Sequence, residues 1–182
     1  LTQSIDDFTL ARETYTVEKV IGEKTLQSAI NDIIQVPRES PSIERIVKPL
    51  AEAIVTDAEI VDGKVLVKGI VESGLIYTSR SKTGQRTTHL VRHEPRVFEH
   101  TLALPGIHDG MKVVSDVEIA EISANVMNDR EVDIDILIAV YAKVYQIKDL
   151  EVVTDLVSQT DTTVELLKTG LTVEKYICEE ST

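Results

Sequence analysis

The four histidines, His89, His93, His100 and His108, are the residues whose chemistry most readily indicates a metal or catalytic site. His89 and His93 are four residues apart in an extended stretch and could share one strand face, where zinc would accept two imidazoles. No cysteine lies nearby and no third ligand follows at a suitable spacing,. We therefore interpret them as surface histidines beside a basic loop. No arrangement of Ser, His and Asp indicates a triad, so the sequence predicts no enzyme, no catalytic residue, no metal and no cofactor.

A second candidate is the acidic run "NDREVDID", Asn128 to Asp135, whose carboxylates could bind calcium,. The run lacks the Asp-x-Asp-x-Asp-Gly spacing of a calcium loop. Asp133 and Asp135 also fall on one face of a strand, because strand side chains alternate. We interpret the run as the solvated end of a hairpin.

A third candidate is a basic cluster in an otherwise acidic chain, formed by Arg80, Lys82 and Arg86 with Arg92 and Arg96. Such a cluster could bind anionic glycans or the acidic faces of neighbouring copies. It could equally be an exposed, solvated loop. Both interpretations stay open, and Arg80, Lys82 and Arg86 are the candidate electrostatic or glycan contact.

The bulk composition excludes some partners. A formal net charge of −12 would repel nucleic acid,. No apolar run approaches the length of about 18 residues that a spanning helix needs, so no membrane span is predicted. The chain begins at Leu1 without Met and without an apolar signal core, which we interpret as a processed N-terminus or a fragment,. The single cysteine, Cys178, is either a small apolar side chain or the site of an intermolecular disulfide,.

The elements that carry these residues are predicted to be strands. Aromatic residues make up 4% of the chain and Trp is absent, so the core must consist mainly of Val, Ile and Leu, which favour strands,. The period-2 alternation predicts an all-β, β-sandwich-like domain of long antiparallel strands with extended N- and C-terminal arms. The spacing of Ile43, Ile46 and Val47 predicts at most one short helical turn.

Particular strands and turns follow from local signals. Asp62-Gly63 predicts a hairpin, and Val65, Val67, Gly69 and Val71 should share one face of the strand after it. The polar stretch Ser79 to His89 predicts an exposed loop. Pro95 predicts an edge strand or a bend within the run that ends at Pro105-Gly106. A strand from Arg130 is expected to be central and covered on both faces, with one face formed by Val132, Ile134, Ile136, Ile138 and Val140,.

An internal repeat links the two ends of the chain. "TVEKVIGEK", Thr16 to Lys24, matches "TVEKYICEE", Thr172 to Glu180, at six positions in register. A bulge is expected in the first copy at the Val20-Ile21-Gly22 step. We divide the chain into an N-terminal arm (1–15), a β domain (16–148) and a C-terminal arm (149–182). A terminal strand that copies a domain strand can pair in another copy, by β-strand addition. The predicted contact residues are Val17, Val20, Ile21, Val173, Tyr176 and Ile177.

Four stretches give the chain a family resemblance: 17–37, 43–77, 98–113 and 117–145. The most specific are the block Gly63 to Gly69 and the turn Leu104 to Gly106. The chain resembles the SPOCS domain of sporulation-associated proteins from Gram-positive spore formers. The resemblance implies a non-enzymatic, β-rich interaction module that occurs in tandem or beside a peptidoglycan-binding LysM module. This chain shows no LysM block.

Together these observations predict a structural protein that self-assembles head to tail into a filament or surface layer by terminal strand exchange. The expected partners are other copies of the chain and a spore or envelope protein. The expected location is extracellular or on the spore or cell surface, with the mother-cell cytoplasm at the forespore surface as the alternative. Three alternatives remain: an adaptor that binds another morphogenetic protein through a sheet edge, a repeat that begins a second domain, and a repeat that pairs within one copy.

Overall fold

A computed structural model describes Ser4–Ile5 and residues 8–158, with side chains from residue 10 to residue 155. Every regular element in this part of the chain is a strand, so the predicted all-β class is confirmed. The strands are β1 (Ser4–Ile5), β2 (Phe8–Gln35), β3 (Arg45–Val61), β4 (Lys64–Arg80), β5 (Arg86–Arg92), β6 (Arg96–Ala103), β7 (Lys112–Val126) and β8 (Glu131–Ser158).

The strands form two sheets, and the predicted sandwich-like architecture is confirmed. The first sheet has the order β1-β2-β8-β7. In the second sheet β3 pairs with β4, and the other side of β4 pairs with both β5 and β6. Contacts divide the chain into a central unit, Thr16–Lys148, and a terminal unit made of Leu1–Tyr15 and Asp149–Thr182.

The predicted hairpin between β3 and β4 is confirmed. The conformation of its turn determines the register in which the two strands pair. Asp62 and Gly63 have φ of 50° and 69°, which places both in the left-handed region. A two-residue turn of this kind matches the twist of the flanking strands. Pairing then extends from Val61 opposite Lys64 to Arg45 opposite Thr78.

One core cluster unites the inward faces of both sheets. On β4, Val65, Val67 and Val71 are almost fully buried, as the alternation predicts. The five predicted inward residues of β8 are also buried, and β8 lies between β2 and β7 in its sheet. Ala139 on the opposite face is buried as well. The predicted central position is therefore confirmed, whereas the second face is only partly covered, because Leu137 and Tyr141 are half-buried.

The predicted helical turn around Ile46 is wrong. Arg45 and Ile46 are already in β3, opposite Thr78 and Tyr77. Ile43 is buried just before the strand begins. The apolar spacing that imitates a helix therefore spans a junction between a loop and a strand, and pairing with β4 decides the conformation.

Two further predictions need correction in the second sheet. The exposed loop is much shorter than Ser79 to His89, because Ser79 and Arg80 end β4 while β5 begins at Arg86. The polar residues on both sides pair with each other in the hairpin. The long run through Pro95 is divided into β5 and β6, which pair with successive parts of the same side of β4, so the predicted edge position of Pro95 is confirmed.

The described part of the terminal unit consists of strand residues. Arg12 and Glu151 form an ion pair of 3.0 Å, and the Thr154 hydroxyl donates to the Ala11 carbonyl over 3.5 Å. Within the described residues, no helix has the length and apolar character needed to span a bilayer.

Gly69 gives a direct test of the packing between β4 and its neighbours. A Cβ at this position would overlap the Ile54 carbonyl and the Phe98 ring. We expect Gly69→Ala to lower the free energy of unfolding by about 1–3 kcal/mol, the usual cost of overpacking a core. Chemical denaturation measures this change.

Gly22→Ala is the matched control, because a Cβ there meets its nearest neighbour, the Leu104 side chain, at 3.4 Å. The control should change stability by about 0.5 kcal/mol or less, as most unstrained substitutions do. Equal effects of the two substitutions would show that the close approach at Gly69 is not a feature of the fold.

Candidate functional site

The first copy of the repeat, Thr16 to Lys24, lies in β2 with alternating exposure. Val17 and Ile21 are half-buried, and Ile21 packs against the core cluster. Val20 is 47% exposed on the opposite face. Ile21 and the next residue, Gly22, are both half-buried. Within the repeat, the inward residues before this step have odd numbers, and after it the inward residues of β2 have even numbers. A bulge at the predicted step produces such a change, since it adds one residue to one strand.

Three contacts fix this segment to the central unit. The Tyr141 hydroxyl on β8 donates a hydrogen bond of 2.9 Å to the Glu23 carboxylate. Gly22 lies beside the Leu104 side chain. The Lys24 ammonium donates to the Ala103 carbonyl at the end of β6 over 3.5 Å. The segment therefore contacts β8 on one side and the region around the Leu104-Pro105-Gly106 turn on the other.

The structure thus brings Val17, Val20 and Ile21 together in one strand, with Val20 on the solvent face. The other three predicted contact residues, Val173, Tyr176 and Ile177, lie outside the described residues, as does Cys178. Their role stays a prediction.

One edge of β2 is open over most of its length. In the part of the chain that the structure describes, β2 has β8 as one neighbour and the two-residue β1 as the other. β1 pairs only with Phe8 and Thr9. Among the described residues, no strand is paired with this second edge from Val17 to Gln35, where an added strand could bind through backbone donors and acceptors,.

A buried carboxylate connects β2 to the second sheet, and the sequence analysis missed it. Asp32 is 2% exposed. It accepts a hydrogen bond of 2.8 Å from Ser73 on β4 and one of 3.0 Å from the Arg96 guanidinium on β6. The Nδ1 atom of His93 lies 2.9 Å from Oδ2, the carboxylate oxygen that also accepts from Ser73, at an ion-pair distance without hydrogen-bond geometry.

The electrostatics of this junction favour the charged carboxylate. Burial raises the pKa of Asp32, but the hydrogen bonds from Ser73 and Arg96, with the charges of His93 and Arg96, outweigh it and hold the pKa below its ordinary value,. A signal for the junction is present in the sequence. Asp32 alternates with Ile30 and Ile34, which places a carboxylate on the inward face of a strand, where it requires partners,.

Two members of the predicted basic cluster are neutralised within the chain. Arg80 and Arg86 both bond to Glu44, at 2.8 Å and 3.0 Å. The hydrogen bonds from Arg86 and then Arg80 lower the pKa of Glu44 to about 2. Lys82 lies in the turn between β4 and β5. The two arginines therefore surround a carboxylate that already occupies the place an anionic ligand would take.

His89, within β5, and His93, directly after it, have separate partners. The His89 Nε2 atom lies 2.8 Å from the Ser79 hydroxyl, and the His89 ring stacks obliquely on Tyr77. His93 faces Asp32 instead. Within the described residues, no group of three or more His, Cys, Asp or Glu side chains could hold a metal ion.

Comparison with known proteins identifies part of the chain. Residues 42–127 match the family model described as SipL, SPOCS domain. This part of the chain is therefore similar to the SPOCS domain family. No curated protein and no solved structure matches the chain. The predicted resemblance is confirmed, and the SPOCS segment contains β3 to β7, with both the Gly63–Gly69 block and the Leu104–Gly106 turn.

The SPOCS segment supplies three of the four residues of the polar junction, Ser73, His93 and Arg96. The fourth, Asp32, comes from β2, before the matched residues begin. The junction therefore attaches β2 to the SPOCS segment through a charged contact in addition to the apolar core.

The lowered pKa of Asp32 leads to a pH prediction. A carboxyl whose pKa is lower in the folded state stabilises the fold above its unfolded pKa, here near the ordinary value of 3.8, and loses that contribution as the pH falls through the folded value,. We expect Asp32→Asn to lower stability at pH 7 by about 1–3 kcal/mol, the cost of leaving buried donors unsatisfied. The difference between variant and parent should shrink below about pH 4.

Denaturation from pH 7 down to pH 3 measures this difference. Asp133→Asn is the control, because Asp133 alternates with the buried Val132 and Ile134 and so lies on the face of the sheet opposite the inward Asp32,. This control should leave the stability profile of the parent nearly unchanged. A difference between Asp32→Asn and the parent that stays constant over the whole range would contradict the charged state assigned to Asp32.

Proposed function

We propose that the chain is a non-enzymatic structural protein whose copies join head to tail by exchange of a terminal β-strand. The residues Thr172 to Glu180 of one copy take the place of Thr16 to Lys24 beside β8 of the next copy. The observation that carries this proposal is the fit of the second repeat to the surroundings of the first, position by position.

The positions that matter most for packing are unchanged between the repeats. Val173 corresponds to Val17 and Ile177 to Ile21, so the inward apolar side chains are identical. Glu179 corresponds to Glu23, which accepts the hydrogen bond of Tyr141. An exchanged strand would keep the packing toward the core and that polar contact to β8.

The departures between the repeats are also tolerable in this environment. Tyr176 replaces Val20, which is half-exposed, so a larger side chain has room in solvent. Cys178 replaces Gly22, where a Cβ would make ordinary contact with Leu104. Glu180 replaces Lys24 and loses only the long bond of 3.5 Å to the Ala103 carbonyl.

Replacing the resident segment by the donor strand changes the number of contacts very little. The concentration of copies and the covalent attachment of the resident segment therefore decide which of the two strands is bound beside β8. The resident segment has the advantage of being covalently attached to its own unit. A dense population of copies favours the donor from a neighbour. Because donor and acceptor surfaces differ, the contact is heterologous and generates a filament unless the rotation closes a ring. An extracellular or spore-surface layer would supply the required density.

The open edge of β2 supports a second candidate function. An adaptor would bind an extended segment of a different spore or envelope protein along Val17 to Gln35, with backbone hydrogen bonds providing affinity. The adaptor would stay monomeric when pure, whereas strand exchange requires no other protein.

Cross-linking through the native cysteine tests the proposed contact. In the exchanged state Cys178 of one copy would lie against residue 104 of the next, since Gly22 is beside Leu104. We expect Leu104→Cys to give a ladder of disulfide-linked species on a non-reducing gel after mild oxidation. The ladder should disappear with reductant.

The matched control is Leu104→Cys combined with Cys178→Ser, which should give no ladder. Circular dichroism checks that each variant is folded, because Leu104 is buried. A cross-link confined to the monomer would indicate pairing within one copy, and either that result or no cross-link contradicts strand exchange.

A substitution in the donor strand gives an independent prediction. We expect Ile177→Asp to abolish large assemblies in light scattering, because it would place a charge at an inward position. Tyr176→Val, which restores the residue found in the first repeat, should leave assembly intact. Deletion of residues 171–182 should have the same effect as Ile177→Asp and leave a folded monomer or small oligomer. Undiminished scattering in all variants would exclude this strand as the donor.

A further inference from the structure

The outer face of the second sheet carries an apolar row that faces solvent. Ile54, Ile70 and Val97 are directly opposite one another on β3, β4 and β6. Val97 is 79% exposed and Ile54 is 50% exposed. Ile76 and Leu90 form a second such pair on β4 and β5, and Leu90 is 54% exposed. An exposed apolar patch that crosses several strands marks an interaction surface more often than scattered single residues do.

Charges on this face are separated along the strands. Toward the end of β4 at Arg80, the outward positions of β3, β4 and β5 carry cations. Toward the beginning of β4, the outward positions carry mostly carboxylates, together with Lys64 and Lys68. The cations are Arg45, Lys48, Arg80, Arg86 and Arg92, and the carboxylates are Glu52, Asp57, Glu59, Glu72 and Glu99.

The ion pairs within the chain leave much of this separation intact. Glu44 is the carboxylate at the basic end, where it binds Arg80 and Arg86. Lys68 and Glu59 lie 3.6 Å apart, and Arg92 and Glu72 lie 3.7 Å apart, both exposed. The exposed pairs of Lys68 with Glu59 and of Arg92 with Glu72 contribute little to stability. Since Arg80 and Arg86 are bound to Glu44, the contact with a partner rests mainly on Arg45 and Lys48 at the basic end.

We propose that this face binds the same face of a second copy, in a two-fold symmetric dimer. The axis lies in the interface and runs across the strands at the level of Glu72 and Gly74. It reverses the strand direction, so the basic half of each copy lies over the acidic half of the other. An axis parallel to the strands would instead place like charges together. Charge complementarity therefore favours a second copy of the chain as the partner, bound with its strands reversed.

This axis also matches the apolar residues of β4, β5 and β6, whereas Ile54 on β3 lies over Lys48. A β4 residue of one copy faces a β4 residue of the other when their two numbers add to 146, so Ile76 lies over Ile70. Leu90 is paired with Ile76 and Val97 with Ile70, so Leu90 of one copy lies over Val97 of the other. On β3 the same operation places Arg45 over Asp57, because these residues are opposite Thr78 and Lys68. Each apolar contact and each ion pair occurs twice in the dimer.

The size of the face is sufficient for a stable dimer. β4 has 17 residues. At the usual rise of about 3.3 Å a residue and spacing of about 4.8 Å between strands, three strands cover on the order of 800 Å² in each copy. A standard specific interface buries about 800 Å² per partner. Two stacked sheets of one protein pack in the same manner inside a sandwich.

The dimer is independent of the proposed strand exchange. The exchange is a head-to-tail contact of β8 with a donor strand, whereas this contact is isologous and uses β3 to β6. Ile177→Asp therefore provides a background in which the dimer can be measured alone. In that background the mass by sedimentation equilibrium should change from one to two copies as the concentration rises.

A charge exchange in the Ile177→Asp background tests the orientation. Arg45→Glu and Asp57→Arg should each raise the dissociation constant about tenfold or more, which corresponds to about 1.4 kcal/mol. The double variant should recover most of the parental affinity, because it restores both symmetric pairs. Val97→Asp should give a monomer at all accessible concentrations. Arg38→Glu, which reverses a charge on an exposed residue between β2 and β3, is the control and should dimerise like the background.

Three results would overturn the inference: a monomer in the Ile177→Asp background, a dimer insensitive to Val97→Asp, or single charge reversals that the double variant does not rescue. None of these results bears on strand exchange, which is measured by the Cys178 cross-link. Conversely, large assemblies that persist with Ile177→Asp would contradict strand exchange, and because a two-fold dimer closes at two copies, they would also overturn the two-copy state inferred here.

Discussion

The burial of β-branched residues between two sheets is the constraint on which the structure depends. The chain has no Trp and few other aromatic residues, so no single large side chain can fill the core. The core instead consists of rows of Val and Ile on β4 and β8. Such rows are buried only when each strand is paired and in register, because a slip of one residue would turn the row toward solvent. The long strands and the tight Asp62-Gly63 turn satisfy this requirement.

Pairing also accounts for the interaction surfaces, because it leaves particular edges and faces unused. β2 has little strand pairing on one of its two edges within the described residues, and a charged junction at Asp32 attaches it to the second sheet. The outer face of the second sheet has exposed apolar residues between separated charges. The proposed assembly would depend on such edges and faces rather than on a pocket. The proposed strand exchange and face-to-face dimer would use different parts of the same framework.

Much of the fold could be predicted from the sequence because alternation is a local signal. Residues within a few positions of one another predict three features: the inward rows of β4 and β8, the hairpin at Asp62-Gly63 and the edge position of Pro95. The start of β3 could not be predicted in this way. The spacing of Ile43, Ile46 and Val47 imitates a helix, and only pairing with distant residues of β4 decides against it. The extent of the loop before His89 could not be predicted for a related reason. Composition indicates polar residues there, but it does not show that Arg86 pairs with Arg80 across a short hairpin.

The candidate sites also differ in whether the sequence alone can reveal them. The repeat and its residues Val17, Val20 and Ile21 are visible in the sequence, because a repeat is a comparison of the chain with itself. The ion pairs of Glu44 with Arg80 and Arg86 join residues far apart in the chain, and so does the junction of Asp32 with Ser73 and Arg96. Alternation alone indicates that Asp32 points inward, but the identity of its partners depends on the topology of both sheets.

Electron microscopy of the purified full-length protein over a range of concentrations tests the central claim most directly. Strand exchange predicts linear or ring-shaped assemblies with a constant repeat, whose length increases with concentration and which form without any other protein. Particles with the mass of one or two copies at every concentration would contradict the claim.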